Sequence, residues 1–597
     1  MRYESKQLQE MAGALRSHAL GALRASRSGH VGIVLGAADI VTTIFANYLR
    51  RGVDKFVLSA GHGSALLYSV LKLAGYNVGD LNGFRKMGGL PGHPEIGIDG
   101  VAATTGPLGQ GVGNAVGIAM GAKIRRSGGR VYCLCSDGDL MEGVANESIA
   151  FAGRYQLDNL VLLWDDNGIS IDGVAQTDVN IPRRMAAAGW TVIAAHGNNF
   201  KSLDAALERA GQCAGPVFIQ CRTTIGVGSS VAGTPRAHGL ALGDAELDAL
   251  GAQYASRGGE KPWAAVARRR VHRDEDKPCI DAGVVPVVDI PNVDAPAIAT
   301  RELSGMYLEK LAAAIPCLVG GSADLAGSTN AKTKSHRDIT ADDFSGNFIN
   351  YGVREHAMGA IMNGLATCGL RPYGSTFLVF SDYMRPSIRL AALSGLPVVY
   401  VLTHDSVAVG EDGPTHQPVE QLPSLRLVPN LNVFRPCNMA EVVYAWRTAL
   451  GDVTRPSCII LSRQKIQQIP TPDDAEIARG GYVIWPAQTK FVRMTLIATG
   501  GEVPVAVAAA KKLSGVQVVS MPNVAAFRAQ SAEYRRRILA GYVVSIEAAA
   551  TAPWFEFADA AIGIDSFGAS GPGDEVYRAF GFDADCLVRE ISKFIKK

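Results

Sequence analysis

The chain's 597 residues exceed one ordinary domain at roughly 100–200 residues each. With 47% hydrophobic and 19% charged residues, 67 glycines and 28 prolines, its composition is globular, which excludes disorder and a collagen-like design. Lys and Arg (58) nearly balance Asp and Glu (56), a formal charge of +2 that leaves no excess to hold a polyanion, so nucleic acid is excluded as an expected partner.

Reading along the chain, apolar residues at helical spacing predict helices over 37–49 and 66–73. Strand-length apolar runs follow at 130–136 (RVYCLCS), 159–164 (NLVLLW) and 216–221 (PVFIQC). A charged, proline-bearing stretch over about 257–297 breaks the rhythm and marks a boundary. A second alternating block has its clearest strands at 397–402 and 457–461. After the polar stretch 469–476, a last unit opens with a strand at 494–498 and closes in a helix over 591–597. Strands alternating with helices predict an α/β protein of three successive domains with mainly parallel sheets: 1–260, a linker at 261–297, 298–468 and 485–597. No stretch reaches about 18 uncharged apolar residues, so neither a signal peptide nor a membrane span is expected. The ten cysteines form no CxxC pair and read as reduced core thiols of a cytoplasmic protein.

Several segments carry candidate chemistry. Ser136–Gly143 (SDGDLMEG) is followed by Asp165-Asp166-Asn167, and a strand–turn–helix–strand path brings both turns to one sheet edge. A carboxylate and an amide oxygen are hard ligands that can hold a divalent ion there, neutralising a diphosphate near a helix N-terminus; ordinary turn residues are the alternative. The glycine run Gly106–Gly117 lacks GxGxxG spacing and reads as a glycine-rich helix start rather than a dinucleotide fingerprint. Glu355 stands at a predicted helix start, where the helix dipole alone accounts for an acid. Phe377, Phe380 and Tyr383 recur every three residues, as a core stripe does. Of eleven histidines, His30, His62, His93, His238, His356, His404 and His416 fall in motif-like segments, and histidines can donate to hydroxyls and exchange protons near pH 7. A metal site from His404, Glu411, Asp412 and His416 lacks the helical face such sites use.

The sequence resembles the transketolase family of thiamine-diphosphate enzymes over nearly its whole length. The similar motifs, in family order, are SGHVG (28–32), LSAGHGSALLY (58–68), PGHPE (91–95), TTGPLGQGVGNAVG (104–117), the SDGD segment, GGSADL (320–325), YGVREHAMGAI (351–361), STFLVFSDY (375–383) and THDSVAVGEDGPTHQPVEQ (403–421). The resemblance implies that the first two domains bind the diphosphate and the pyrimidine of thiamine diphosphate. It implies that Asp137, Asn167 and the Ile169 carbonyl hold Mg2+ or Ca2+. Implied cofactor contacts are His62, Gly106, Leu108, Gly138, Glu142, Asn167, His238, Asp324, Glu355, Phe377, Phe380 and Tyr383. Glu355, His416, His30 and His93 are implied to be catalytic, Glu355 by promoting the imino tautomer of the aminopyrimidine. His30, His93, His238, Arg301, Ser328, His404, Asp412, His416 and Arg463 are implied to hold a sugar phosphate.

The implied activity is reversible transfer of a two-carbon ketol unit from a ketose phosphate to an aldose phosphate in the pentose phosphate pathway. It implies a homodimer with the cofactor at the subunit interface. Dihydroxyacetone-synthase-type transfer and a silent cofactor-binding relative are the alternatives. Two departures stand out: Ser136 replaces the usual glycine before the aspartate, and the segments after His238 and over 332–346 are short.

Overall fold

The computed structural model describes residues 2–269, 284–470 and 474–595; residues 270–283 of the expected linker and 471–473 of the polar stretch lie outside them. Contacts divide the chain into two units: Met1–Pro278 with Thr340–Ser345 and Ala360–Gly369, and Cys279–Ile339 with Gly346–Gly359 and Leu370–Lys597.

The first unit is built on a five-stranded parallel sheet in the spatial order Lys55–Leu58, Val131–Ser136, Leu160–Asp166, Val217–Arg222, Thr191–His196. Its central strands are buried on both faces, which is why they read as continuous apolar runs and not as alternating ones. Parallel register pairs Leu58 with Leu134 and Ser136 with Asp165. Three loops distant in sequence, after Leu58, Ser136 and Asp166, therefore leave the sheet side by side at its carboxyl edge.

The expected helix over 37–49 is interrupted. An α-helix over Ala38–Thr43 widens into a π-helical turn over Ile44–Tyr48. The widening falls where Asn47 is tied to the Tyr3 backbone by bonds of 2.8 and 3.1 Å and Tyr48 donates to the Asp204 carbonyl at 2.7 Å. These long-range anchors are invisible to local periodicity.

The glycine run begins the helix Gln110–Arg125, as expected, but its glycines do more than start it. A Cβ on Gly117 would lie 2.0 Å from the Ile361 carbonyl oxygen, and one on Gly364 2.1 Å from that of Asn114. Backbone meets backbone there, and only glycine permits it.

Among the described residues the second unit holds two large sheets and a two-stranded one that pairs Ala297–Ile298 with Ile466–Gln467. A six-stranded parallel sheet runs Phe348–Asn350, Leu318–Ser322, Arg371–Phe377, Val399–Thr403, Ser457–Leu461, Asn432–Phe434. A five-stranded sheet runs Tyr482–Trp485, Val516–Ser520, Met494–Ala498, Tyr542–Ile546, Ala560–Ile562, with only its first strand antiparallel. Among the described residues, eight cysteines are free, most of them buried. Cys317 is disulfide-bonded, which corrects the expectation of ten reduced thiols. A bridge needs two Cα atoms within about 4.4–6.8 Å, a proximity that spacing along the sequence does not reveal; Cys279 lies outside the described residues.

Within the second unit, the five-stranded sheet is tied to loops of the six-stranded one by buried ions. Arg435, after Asn432–Phe434, bonds Asp405 (2.8 Å) and the Thr499 hydroxyl (2.9 Å), pairs with Glu502 and stands 3.6 Å from Glu547. The side chains of Arg435, Glu502 and Glu547 are fully buried.

Candidate active site

In the first unit, a cavity of about 350 Å³ opens at the carboxyl edge of the parallel sheet, where α/β sheets commonly bind ligands. His30, His62, His93, Gly106, Leu108, Asp137, Gly138, Asn167, Ile169 and His238 all line it, so ten residues scattered over 209 positions of sequence are brought together. Glu142 does not join them: it is the exposed N-cap of the helix Gly143–Arg154. A larger cavity of about 810 Å³ opens at the sheet's opposite edge, beside Arg126 and Arg130, and none of the expected residues lines it.

The histidines form a ring cluster. The His30 centroid lies 5.1 Å from that of His62, 5.5 Å from His238 and 6.4 Å from His93, and His62 stacks on His238 at 5.2 Å. Burial, then the neighbouring Arg85 and histidines, lowers His30 to about 4; burial also lowers His62, His93 and His238. Neutral imidazoles at pH 7 can each donate from one nitrogen and accept at the other, the state needed to take a proton from a hydroxyl.

On the adjacent wall, Asp137 Oδ1 accepts from the Trp164 indole at 3.2 Å, while Oδ2 is buried without a hydrogen-bond partner. Burial and the nearby Asp165 and Asp166 push Asp137 up to about 7. Asn167 donates to Asp165 Oδ2 at 3.0 Å, and its Oδ1 accepts from the Ile169 N–H at 3.1 Å. An orphaned carboxylate oxygen beside two more acidic groups, with an amide oxygen and a carbonyl on the same wall, fits a hard divalent cation.

Asp139 is the residue that sequence reasoning missed, although it lies in the quoted SDGD segment. It is fully buried, and its two oxygens accept from the Ser59 hydroxyl (2.6 Å), the Gly109 N–H (2.7 Å), and the Ser136 N–H (2.9 Å) and hydroxyl (3.0 Å). One carboxylate thus joins the loops after two strands to the glycine loop. The S-x-x-D capping-box spacing at Ser136 was the available signal.

In the second unit the expected residues again follow strand ends, since Phe377 pairs with Thr403 and Thr403 with Leu461. Phe377 is buried, Phe380 half-buried and Tyr383 65% exposed, so the three aromatics form a ledge that climbs out of the core instead of a buried stripe. Phe377 and Phe380 stack at 5.7 Å, His404 stacks on Phe377 at 3.6 Å, and His416 stands 5.3 Å from Phe380. Burial, then Arg301 and Arg463, lowers His404 to about 3, which also places both guanidinium groups within electrostatic reach of it. Arg301 donates to the Ser328 carbonyl at 2.6 Å. Glu355 opens the helix Glu355–Thr367, is buried, and accepts from the Thr376 hydroxyl at 3.0 Å. Asp324, Ser328, Asp412 and Arg463 are exposed. Among the described residues no cluster of three or more His, Cys, Asp or Glu side chains suits a metal, so the His404–His416 metal reading gains no support.

Family models match the chain in three consecutive stretches: the transketolase thiamine diphosphate binding domain over 7–262, the transketolase pyrimidine binding domain over 296–468 and the transketolase-like C-terminal domain over 480–583. The chain is 38% identical to the transketolase of Rhodobacter capsulatus over 659 aligned residues and 40% identical to that of Bacillus subtilis over 656, each covering 98% of both chains. Those alignments are longer than this chain, so the relatives carry segments that it lacks. Among solved structures, transketolase from Leishmania mexicana superposes with a TM-score of 0.92 at 35% identity, covering 99% of this chain and 97% of that one. The sedoheptulose-7-phosphate complex of the Pichia stipitis enzyme does so with a TM-score of 0.88 at 34% identity and the same coverage. Sequence, fold and the order of all three domain models agree: the chain belongs to the transketolase family of thiamine-diphosphate-dependent transferases.

Proposed function

We propose that the protein moves a two-carbon ketol unit between a ketose phosphate and an aldose phosphate, as a homodimer, with thiamine diphosphate and Mg2+ or Ca2+ as its cofactors. The observation that carries the reading is the four-histidine cluster sharing one cavity with the unpartnered Asp137 oxygen. Asp137, Asn167 and the Ile169 carbonyl would hold the cation against a diphosphate, beside His62, Gly106, Leu108, Gly138 and His238. Glu355 would present its carboxylate to the pyrimidine, with the Phe377–Phe380–Tyr383 ledge as the face on which a flat ring stacks. Bound there, thiamine diphosphate supplies the electron sink that carbon–carbon cleavage requires.

The remaining roles belong to this chain's own side chains. His30 or His416 takes the proton from the substrate's C3 hydroxyl, and His93 and His238 orient hydroxyls by hydrogen bonds. Arg301 and Arg463, with His404 and Ser328, suit a phosphate dianion, since guanidinium groups bind it bidentately. Asp412 would accept from the C2 hydroxyl of the aldose. The diphosphate-facing and pyrimidine-facing residues belong to separate units of the chain, which is compatible with a cofactor held at a subunit interface. Glu142 and Asp324 are exposed in the single chain, and their proposed cofactor contacts rest on the resemblance alone.

The test is a coupled assay with xylulose 5-phosphate and ribose 5-phosphate, with and without thiamine diphosphate and magnesium. Glyceraldehyde 3-phosphate release that needs both the cofactor and ribose 5-phosphate is the expected result. Release that instead needs formaldehyde points to dihydroxyacetone-synthase-type transfer, and no release with cofactor bound points to a silent relative.

The serine at position 136 is expected to leave this site intact. Its backbone is extended (φ −112°, ψ 175°), a conformation open to any residue, and its hydroxyl caps the short helix Asp137–Met141 through Asp139. Exchanging a serine cap for glycine costs only a few tenths of a kcal/mol. Ser136→Gly should therefore change thiamine-diphosphate affinity less than about twofold, measured by fluorescence titration; a tenfold gain would mean that the hydroxyl obstructs the cofactor.

A further inference from the structure

A further cavity, of about 620 Å³, lies wholly within the second unit, walled by residues 463–467 after the strand Ser457–Leu461 and by the helices Glu502–Ala510 and Gly573–Ala579. Its volume is in the range of about 300–1,000 Å³ typical of small-molecule sites. On its wall stands Gln464, whose Nε2 and Oε1 are both buried and both without a hydrogen-bond partner. Folded proteins rarely leave a carboxamide unmatched on both atoms, because each orphaned group carries its full desolvation cost. Gly501 makes the space the amide occupies: a Cβ there would lie 3.0 Å from Nε2.

The surroundings narrow the ligand. Tyr577 and Phe582 stack with centroids 5.2 Å apart. The Tyr577 hydroxyl is committed to Glu502, so its ring is what remains for a ligand. Pro504 and Val505 add an apolar wall, and the exposed Arg463 and Lys465 flank Gln464 in sequence. Of the acidic groups on the rim, Glu411, Asp574 and Asp583, the last is engaged in accepting the N–H groups of Asp585 and Cys586. A glutamine amide offers an acceptor beside a donor, the complement of the N6/N7 edge of adenine. Phe582 is buried behind Tyr577, so the half-buried Tyr577 ring is the face that suits a flat base, and the Lys465 ammonium suits a phosphate.

We propose that this cavity is a binding site for an adenine mononucleotide, with the base read by Gln464 and the phosphate held near Lys465. Arg463, proposed above for the sugar-phosphate clamp, stands on the rim of this cavity as well, so the nucleotide phosphate is assigned to Lys465 alone, and its binding needs no step of ketol transfer.

Calorimetric titration of adenosine 5′-monophosphate into the full chain, already saturated with thiamine diphosphate and Mg2+, tests it. Saturable binding of one nucleotide per chain is expected, weakened about tenfold or more by Gln464→Leu. Inosine 5′-monophosphate, which lacks the N6 donor, should bind as weakly to the native chain. Gln464→Leu removes an orphaned amide, so its thermal midpoint should be equal or higher and its kcat and KM for sugar phosphates unchanged. Val505→Trp, which fills the cavity from its rim, should abolish binding and serves as the second variant should Gln464→Leu fail to fold. The proposal is overturned by the absence of saturable binding, by equal affinity in the variants, or by displacement of the nucleotide by ribose 5-phosphate, which would place it in the substrate site.

Discussion

Glu355→Ala is expected to lower kcat by about 100- to 10,000-fold, the span over which a positioned proton-transfer group contributes to catalysis. The same change is expected to leave a cooperatively folded protein. Glu355 begins a helix and accepts one hydrogen bond, from Thr376. Its loss therefore removes a favourable dipole interaction and orphans one hydroxyl, together about 1–2 kcal/mol. Glu355→Gln separates charge from shape: its amide oxygen can still accept from Thr376, so stability should return while activity does not. The coupled assay and a urea titration on the three proteins check both statements. Activity in the alanine variant within tenfold of the parent would remove Glu355 from the chemistry.

The largest effect on stability is expected at Arg435. This guanidinium is fully buried among Asp405, Glu502 and Glu547, and Arg426 supplies the other cation, bonding Glu547 through two contacts of 2.8 Å. Replacing Arg435 by methionine leaves three buried carboxylates with one cation. Breaking such a cluster from one side costs about 3–5 kcal/mol, far more than the intact cluster adds over an apolar substitute.

The pH dependence has a definite sign. Burial alone would raise Glu547, but Arg426 and then Arg435 hold it down at about 2, below the ordinary value of 4.5. A carboxylate depressed in the folded state contributes stability that is complete above about pH 4.5 and is lost as pH falls through about 2. Without Arg435 that depression shrinks, so the penalty measured by urea midpoint should be greatest at pH 7 and smaller at pH 3. A penalty independent of pH would mean that packing, and not charge, is what Arg435 provides.

The sheets were legible in the sequence because their strands are buried on both faces. Runs such as Val131–Ser136 and Leu160–Asp166 need no partner to be recognised, and each expected strand lies within two residues of an observed one, whereas strands such as Lys55–Leu58, Thr191–His196 and Leu318–Ser322 were not among those expected. The residues of the first cavity were legible through resemblance, and parallel register explains why they meet: Ser136 lies beside Asp165, and the loop holding His62 leaves the neighbouring strand. What stayed hidden depends on contacts between distant positions. The π-helical turn at Ile44–Tyr48 is anchored by Tyr3 and Asp204. The close approach of Gly117 to Ile361, the pairing of Arg435 with three acids and the bridge at Cys317 likewise have no local signature. The exposed gradient from Phe377 to Tyr383 was invisible for another reason: a spacing of three fixes a helical face but not how far that face emerges from the core.

The four hydrogen bonds that converge on Asp139 carry a consequence for how ligands are received. They fasten the loop at Ser59, the turn at Ser136 and the glycine loop at Gly109 to one another through groups of the chain alone. A receptor whose walls are already locked loses little conformational freedom on capture, so more of the contact energy appears as affinity. Association at this edge of the sheet should then follow simple one-step kinetics, without a slow rearrangement phase.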